Sequence, residues 1–158
     1  MGPRQSDIRE IKVFHLEDYQ IMRDGVRRLL RDDAQIAFVG EASNGKQLFS
    51  RVASVDVDVL IMDVYLDANE ETPQYNGFEI CRKIKEHYPH IKVLAHSMYD
   101  DAEKIAKIIR AGARGFVSKR SGFEQLLNGI KSVAANNFFI CDDASRKLKN
   151  LKEFLSGL

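Results

Sequence analysis

The chain alternates short apolar runs with longer segments in which apolar residues recur every three or four positions. Apolar runs of about four to eight residues predict buried strands, and a period of about 3.6 predicts amphipathic helices. The predicted strands cover residues 11–16, 36–40, 57–62, 91–96 and 114–118. The predicted helices follow them in order, at residues 22–30, 48–52, 78–84, 102–109 and 123–133.

Strands that alternate with helices predict βαβ units and therefore a parallel sheet. Because the crossovers are right-handed, helices then cover both faces, and the expected fold class is α/β with a doubly wound five-stranded parallel sheet. The helix limits have their own signals. The second helix opens near Ser43-Asn44, Asp100 or Asp101 can cap the fourth, Gly112 closes the fourth, and Ser121 caps the fifth.

Length and charge set limits on organisation and partners. The 158 residues predict one domain at 10–135, a disordered tail at 1–9, and a C-terminal linker or extra helix at 136–158. The last segment carries an apolar stripe, namely Leu148, Leu151, Phe154 and Leu155. The net charge is +1, so no overall field attracts nucleic acid or anionic lipid. No apolar run is long enough to span a bilayer.

The cysteines indicate a compartment rather than a site. Cys81 and Cys141 stand far apart, without CxxC spacing and without a secretory signal before them. This usage is typical of buried thiols in a reducing environment, so a cytoplasmic location is expected.

Reactive side chains stand where four of the predicted strands end. They are Glu17 and Asp18 after the first strand, Asp63 after the third, Ser97 after the fourth and Lys119 after the fifth. In a parallel sheet these ends share one edge, where ligands bind. Three neighbouring carboxylates need a cation, and oxygen ligands suit Mg²⁺. A central carboxylate can be a nucleophile that forms an acyl phosphate, with the lysine and the serine hydroxyl placed to meet a phosphoryl group.

Four segments carry a resemblance to a known family. The segments "FHLEDYQIMRDGVRRLL", "VDVLIMDVYL", "VLAHSMYDD" and "AGARGFVSK" resemble the motifs of the receiver domain of two-component response regulators. The resemblance covers about residues 10–135 and is greatest to members of the NarL/LuxR type. It implies a flavodoxin-like sheet with strand order 2-1-3-4-5, followed here by an extra C-terminal helix.

The resemblance also implies the chemistry of the site. Asp63 would accept a phosphoryl group from a histidine kinase, and Lys119 would pair with that group. Mg²⁺ would be held by Glu17, Asp18, Asp63 and the backbone carbonyl of Tyr65. The protein would then be a phosphoacceptor that catalyses its own phosphoryl transfer and slow dephosphorylation, rather than an enzyme acting on a separate substrate.

A switch and an output follow from the same resemblance. Ser97 would turn its hydroxyl toward the phosphoryl group, and Phe116 would swing inward to reshape the surface of the fourth helix, fifth strand and fifth helix. The expected output is transcription regulation through a DNA-binding domain that is not present in this chain, with a homodimer as a possible state. The alternative is a stand-alone receiver, or a pseudo-receiver, that acts through protein–protein interaction.

The sequence departs from the family pattern in the loops. Asp67 stands where the family usually has proline, and the acidic insertion "DANEETPQYNG" begins there, so residues 67–76 have no assigned role. Arg120 follows the lysine where many members have a cis-proline. These changes affect loop geometry and leave every reactive residue in place.

Two other classes compete with this interpretation. A phosphatase of the haloacid dehalogenase type would need a second Asp two residues after the nucleophile, where this chain has Tyr65. A flavodoxin-like electron carrier would need a Ser/Thr/Gly-rich phosphate loop after the first strand, and none is present.

Overall fold

The structure, a computed structural model, describes residues 9–66 and 76–156, with side chains described up to residue 150. The strands are β1 (Ile11–Leu16), β2 (Ile36–Ala42), β3 (Val59–Met62), β4 (Lys92–Ser97), β5 (Gly115–Ser118) and β6 (Phe139–Ile140). The helices are α1 (Gln20–Leu30), α2 (Gly45–Val52), α3 (Gly77–His87), α4 (Ala102–Ala111), α5 (Phe123–Ala134) and α6 (Asp142–Ser156). The tail at 1–8 and the insertion at 67–75 lie outside the described residues.

The sheet is parallel throughout, in the order β2-β1-β3-β4-β5-β6. The predicted order 2-1-3-4-5 and the α/β class are therefore confirmed. In register, Leu16 stands beside Met62 and Ser97 beside Ser118. These four residues end their strands, so the residues that follow them meet at one edge of the sheet.

The sheet differs from the prediction by a sixth strand. Residues 139–140 pair in parallel with β5, with Phe139 beside Gly115 and Ile140 beside Phe116. Gly115 makes this approach possible, because a Cβ atom there would lie 2.6 Å from the carbonyl oxygen of Phe139. Asn136, with a φ of 65°, turns the chain after α5 back toward the sheet. A two-residue strand leaves too short an apolar pattern to be recognised in the sequence.

Most helix limits agree with the capping signals, and one does not. Asn44 caps α2 through a hydrogen bond from the backbone N–H of Gln47, and Gly112, with a φ of 122°, ends α4. Asp101 caps α4. The prediction that Ser121 caps α5 is wrong, because Gly122 occupies the N-cap position and no side chain of the described residues caps that helix. Gly is tolerated at this position because the first backbone donors can bind water instead.

The core lies on both faces of the sheet. All four residues of β3 are buried, as expected for a central parallel strand with helices on each side. Phe14 and Leu16 of β1 and Leu94 of β4 are fully buried beside it. One helix start is fixed by a close approach: a Cβ on Gly77 would lie 2.1 Å from the carbonyl oxygen of Val64, which follows the candidate phosphoacceptor.

The C-terminal segment forms the predicted extra helix. α6 packs against α4 and β5, and its residue Ala144 is fully buried. Leu148 is partly buried against the core, whereas the rest of the apolar stripe lies outside the described side chains. Among the helices in the described part of the chain, none is long and apolar enough to cross a membrane.

Candidate phosphoacceptor and metal site

Three strand ends bring a lysine between two carboxylates. The Nζ atom of Lys119, after β5, lies 2.7 Å from Oε2 of Glu17 and 3.0 Å from Oδ2 of Asp63. All three side chains are almost completely buried. Backbone hydrogen bonds fix their positions: the Asp63 N–H donates to Leu16 and the Lys119 N–H donates to Ser97. The predicted convergence of these residues at one edge is therefore observed.

Asp18 completes a group of three acids. Glu17, Asp18 and Asp63 each offer a carboxylate oxygen, and these three oxygens lie within 4.8 Å of one another. This donor set fits Mg²⁺, which takes one or two carboxylates and retains water and phosphate oxygens. The fit rests on oxygen ligands and on the crowding of like charges. The expected binding of Mg²⁺ by the backbone carbonyl of Tyr65 stays a prediction.

The electrostatics of the group indicate excess negative charge. The pKa of Glu17 is raised to about 7, first by burial and also by the nearby charge of Asp63, although the hydrogen bond from Lys119 opposes both. Burial lowers the pKa of Lys119, but the hydrogen bond to Glu17 and the charge of Asp63 outweigh it, so that pKa is raised. One ammonium does not fully compensate the acids, and a bound divalent cation would.

The predicted switch residues lie next to this group. Ser97 is fully buried, and its Oγ accepts a hydrogen bond of 3.0 Å from the backbone N–H of Tyr99. Phe116, in β5, is 1% exposed, so its ring already lies inside the protein. The reorientation of either side chain stays a prediction.

The opening of the site is lined by aromatic residues. A cavity of about 470 Å³ reaches Asp63 and Lys119, and its other lining residues are Tyr19, Tyr65, Leu66, Met98 and Tyr99. The rings of Tyr65 and Tyr99 pack with centroids 4.5 Å apart. The ammonium of Lys104 lies 5.0 Å from the centre of the Tyr99 ring, within the range of a cation–π contact. The two tyrosines therefore form one wall of the approach to Asp63.

Two groups near the site were not identified from the sequence. Arg23 of α1 donates a 2.6 Å hydrogen bond to the carbonyl oxygen of Glu17, which holds the backbone of the acidic pair. Asp100, after β4, accepts a 2.7 Å hydrogen bond from the hydroxyl of Ser118. Arg23 follows Glu17 by only six positions, so a contact with the backbone of the acidic pair could have been predicted from the sequence. The contact between Asp100 and Ser118 joins residues 18 positions apart and has no local signal.

Relatives of known family share most of this chain. The family model for the response regulator receiver domain matches residues 13–131. Transcriptional regulatory protein DegU from Brevibacillus brevis is 28% identical over 92% of this chain and 58% of its own length. Response regulator UvrY from Escherichia coli K12 is 30% identical over 87% of this chain and 61% of its own length. The chain thus spans about three-fifths of the length of these relatives.

The fold is shared with solved structures. A two-component response regulator of the LuxR family from Aurantimonas sp. SI85-9A1 superposes with a TM-score of 0.83 at 23% identity, over 90% of this chain and 98% of that one. The family match includes the acidic group and the lysine described above, and it ends before β6. The chain belongs to the family of response regulator receiver domains.

Proposed function

We propose that this chain is a phosphorylation-activated switch in which Asp63 accepts a phosphoryl group from a histidine kinase. The observation that carries the proposal is the position of Lys119, whose ammonium lies within 3.0 Å of both the Glu17 and Asp63 carboxylates at the open edge of the sheet. A cation placed there can meet the charge of a transferred phosphoryl group. Receiver domains are signalling switches, and this geometry supports that role for the present chain.

The proposed step is a phosphoryl transfer. An oxygen of the Asp63 carboxylate attacks phosphorus, the bond between phosphorus and the donor nitrogen breaks, and that nitrogen keeps the bonding electron pair. Lys119 then pairs with the phosphoryl oxygens. Glu17, Asp18 and Asp63, with the Tyr65 carbonyl, would hold Mg²⁺, which when bound neutralises charge on the phosphoryl group.

The output of the switch is proposed to be regulation of transcription. The name of DegU, a transcriptional regulatory protein, supports this output. DegU and the response regulator UvrY are both longer than the present chain, which leaves room in them for a separate output domain. Contact with DNA would then belong to a domain outside these residues. Within the chain, the Ser97 hydroxyl and the ring of Phe116 would transmit the modification to α4 and β5.

The proposal is tested by phosphorylation with a small donor. Incubation with acetyl phosphate and Mg²⁺ should add one phosphoryl mass to the wild-type chain, as measured by intact mass spectrometry. Asp63→Asn should gain no mass because the nucleophilic oxygen is lost. Asp56→Asn, which changes an exposed acid before the same strand, is the matched control and should react like wild type.

Two results would contradict the assignment of Asp63 as a metal-dependent phosphoacceptor. A phosphoryl mass on Asp63→Asn would place the acceptor elsewhere. An unchanged yield after removal of Mg²⁺ with a chelator would show that the three acids do not act through a metal ion.

A further inference from the structure

The C-terminal helix lies on the surface through which the proposed switch would act. α6 contacts both α4 and β5. At its start, the backbone N–H of Cys141 donates to the carbonyl of Phe116, and the Cys141 Sγ lies 3.5 Å from the backbone nitrogen of Ser118 and accepts its hydrogen bond. Cys141 and Ala144 are fully buried. The helix therefore covers part of the α4–β5 surface, and its first turn is tied to the strand that carries Phe116.

A polar network adds a second tie between α6 and the site. Asp100, only 7% exposed, uses both of its carboxylate oxygens. Oδ1 lies 3.0 Å from the ammonium of Lys147 in α6, and Oδ2 accepts the hydroxyl hydrogen bond of Ser118 at 2.7 Å. The hydroxyl of Ser118 in turn accepts from the backbone N–H of Arg120 at 3.1 Å. Burial alone would raise the pKa of Asp100, but the hydrogen bonds from Ser118 and Lys147 lower it, so it is a charged partner for the lysine.

Both anchors of this network adjoin residues that would bind the phosphoryl group. Asp100 lies in the turn after Ser97, and the Ser97 hydroxyl shapes that turn by accepting from the Tyr99 N–H. Ser118 immediately precedes Lys119, which contacts Asp63. A change in the position of either the serine hydroxyl or the lysine therefore acts within a few bonds of Asp100.

We propose that α6 is a cover on the α4–β5 surface, held by the Lys147–Asp100–Ser118 network, and that phosphorylation of Asp63 releases it. This inference rests on the function proposed above. When the Ser97 hydroxyl turns to the phosphoryl oxygens, the Tyr99 N–H loses its acceptor and the turn that carries Asp100 must rearrange. Lys147 then loses its buried partner, and the surface beneath α6 becomes available.

Such coupling is energetically feasible. An ion pair in which one partner is buried and hydrogen-bonded contributes more to stability than a fully exposed pair does. Among the α6 side chains that the structure describes, those of residues 142–150, only Ala144 is fully buried, so the loss of one further contact is enough to change how often the helix opens. The ion pair therefore sets the opening equilibrium of α6 without being needed for the folding of the sheet.

The experiment is hydrogen–deuterium exchange of the full chain, with and without beryllium fluoride and Mg²⁺ as a phosphoryl mimic. In wild type, the amides of residues 142–150 should exchange about fivefold faster when the mimic is bound. In Lys147→Met, which keeps the length of the side chain, they should exchange about fivefold faster even without the mimic. Lys149→Met, which removes an exposed charge from the same helix, should behave like wild type.

The outcomes separate this inference from the proposed function. If the mimic changes exchange in residues 97–101 but leaves α6 unchanged, the cover is disproved and the switch stands. If α6 in Lys147→Met is as protected as in wild type, the ion pair does not hold the helix and the inference is wrong. If the mimic changes neither segment, both the proposed function and the inference fail.

A second variant tests the network by a different route. Asp100→Asn keeps the shape of the side chain but removes the charge that Lys147 meets. The double variant Asp100→Asn/Lys147→Met should exchange no faster in α6 than Lys147→Met alone, because both changes break the same contact. Additive increases would show that the two residues act on α6 independently and would overturn the network.

Discussion

The ammonium of Lys119 lies 2.7 Å from Oε2 of Glu17, although 102 positions separate the two residues in sequence. The lysine therefore binds the same acidic group that would hold a metal ion. Its hydrogen bond lowers the pKa of Glu17, but burial, which is the largest effect, and the charge of Asp63 still raise that pKa to about 7. The stability of the chain should consequently depend on how this charge is compensated.

Removing one acid should stabilise the metal-free chain. Asp18→Asn lowers the like-charge repulsion, so we expect unfolding free energy to rise by about 1 kcal/mol without Mg²⁺. The same change should abolish the increase in melting temperature that Mg²⁺ gives to wild type. Thermal melts with and without Mg²⁺ measure both effects, with Asp32→Asn, an exposed acid away from the site, as the control. A variant that is less stable and still responds to Mg²⁺ would contradict this expectation.

Buried histidines should make the fold sensitive to mild acid. Burial, and to a smaller extent the charge of Lys119, lowers the pKa of His96 to about 4. Between pH 6.5 and 4 the unfolded chain binds a proton that the folded chain does not, so stability is fully present above pH 6.5 and is lost as pH falls. At pH 5 the loss from this group is about 2 kcal/mol.

The variant His96→Leu removes that contribution. Glu17 changes the stability in the opposite direction: its raised pKa lets the folded chain bind more protons than the unfolded chain between pH 4.5 and 7, so its contribution is lost as pH rises. His15, whose pKa burial lowers to about 3, acts in the same direction as His96. Both remain in the variant, so the difference in pH dependence between wild type and His96→Leu, measured by denaturant unfolding from pH 5 to 8, reports His96 together with the effect of its charge on the pKa of His15. Parallel curves would show that His96 is not held neutral.

The hydroxyl of Ser97 should couple the site to α4 and β5. In Ser97→Ala, beryllium fluoride should still bind at Asp63, because the acids and Lys119 are unchanged. The change in exchange protection of α4 and β5 should be lost, since no hydroxyl remains to leave the Tyr99 N–H. Ser97→Thr keeps the hydroxyl and should restore the change. An equal protection change in Ser97→Ala and wild type would exclude the hydroxyl as the coupling group.

The paired tyrosines should slow hydrolysis of the phosphorylated state. Tyr65 and Tyr99, with centroids 4.5 Å apart, line the cavity that leads to Asp63. A hydrolytic water must approach in line with the bond between phosphorus and the Asp63 oxygen, and the rings line the cavity through which it would enter. Tyr65→Asn or Tyr99→Ala should therefore shorten the lifetime about tenfold, which corresponds to about 1.4 kcal/mol of barrier. The decay of phosphorylated protein measures this, and equal rates in all three proteins would show that the rings do not limit water.

The sequence by itself determined the parallel strands and the residues at their carboxyl ends, because both depend on local patterns. Short apolar runs separated by helical periods predict parallel strands, and the residue after each run must lie at the carboxyl edge. This pattern predicts that Glu17, Asp63 and Lys119 lie at that edge. The order of the strands in the sheet followed from the resemblance to a family with the same motifs.

Tertiary structure alone decided how the C-terminal segment is used. β6 pairs with β5 because Gly115 allows its backbone to approach, and this depends on a residue far from the strand itself. Ser121 failed as a cap because the geometry of the preceding turn placed Gly122 at that position. Asp100 looked like one of two equivalent caps, yet Asp101 caps α4 while Asp100 binds Ser118 and Lys147. Contacts between distant residues leave no periodic signal in the sequence, so only the folded chain reveals them.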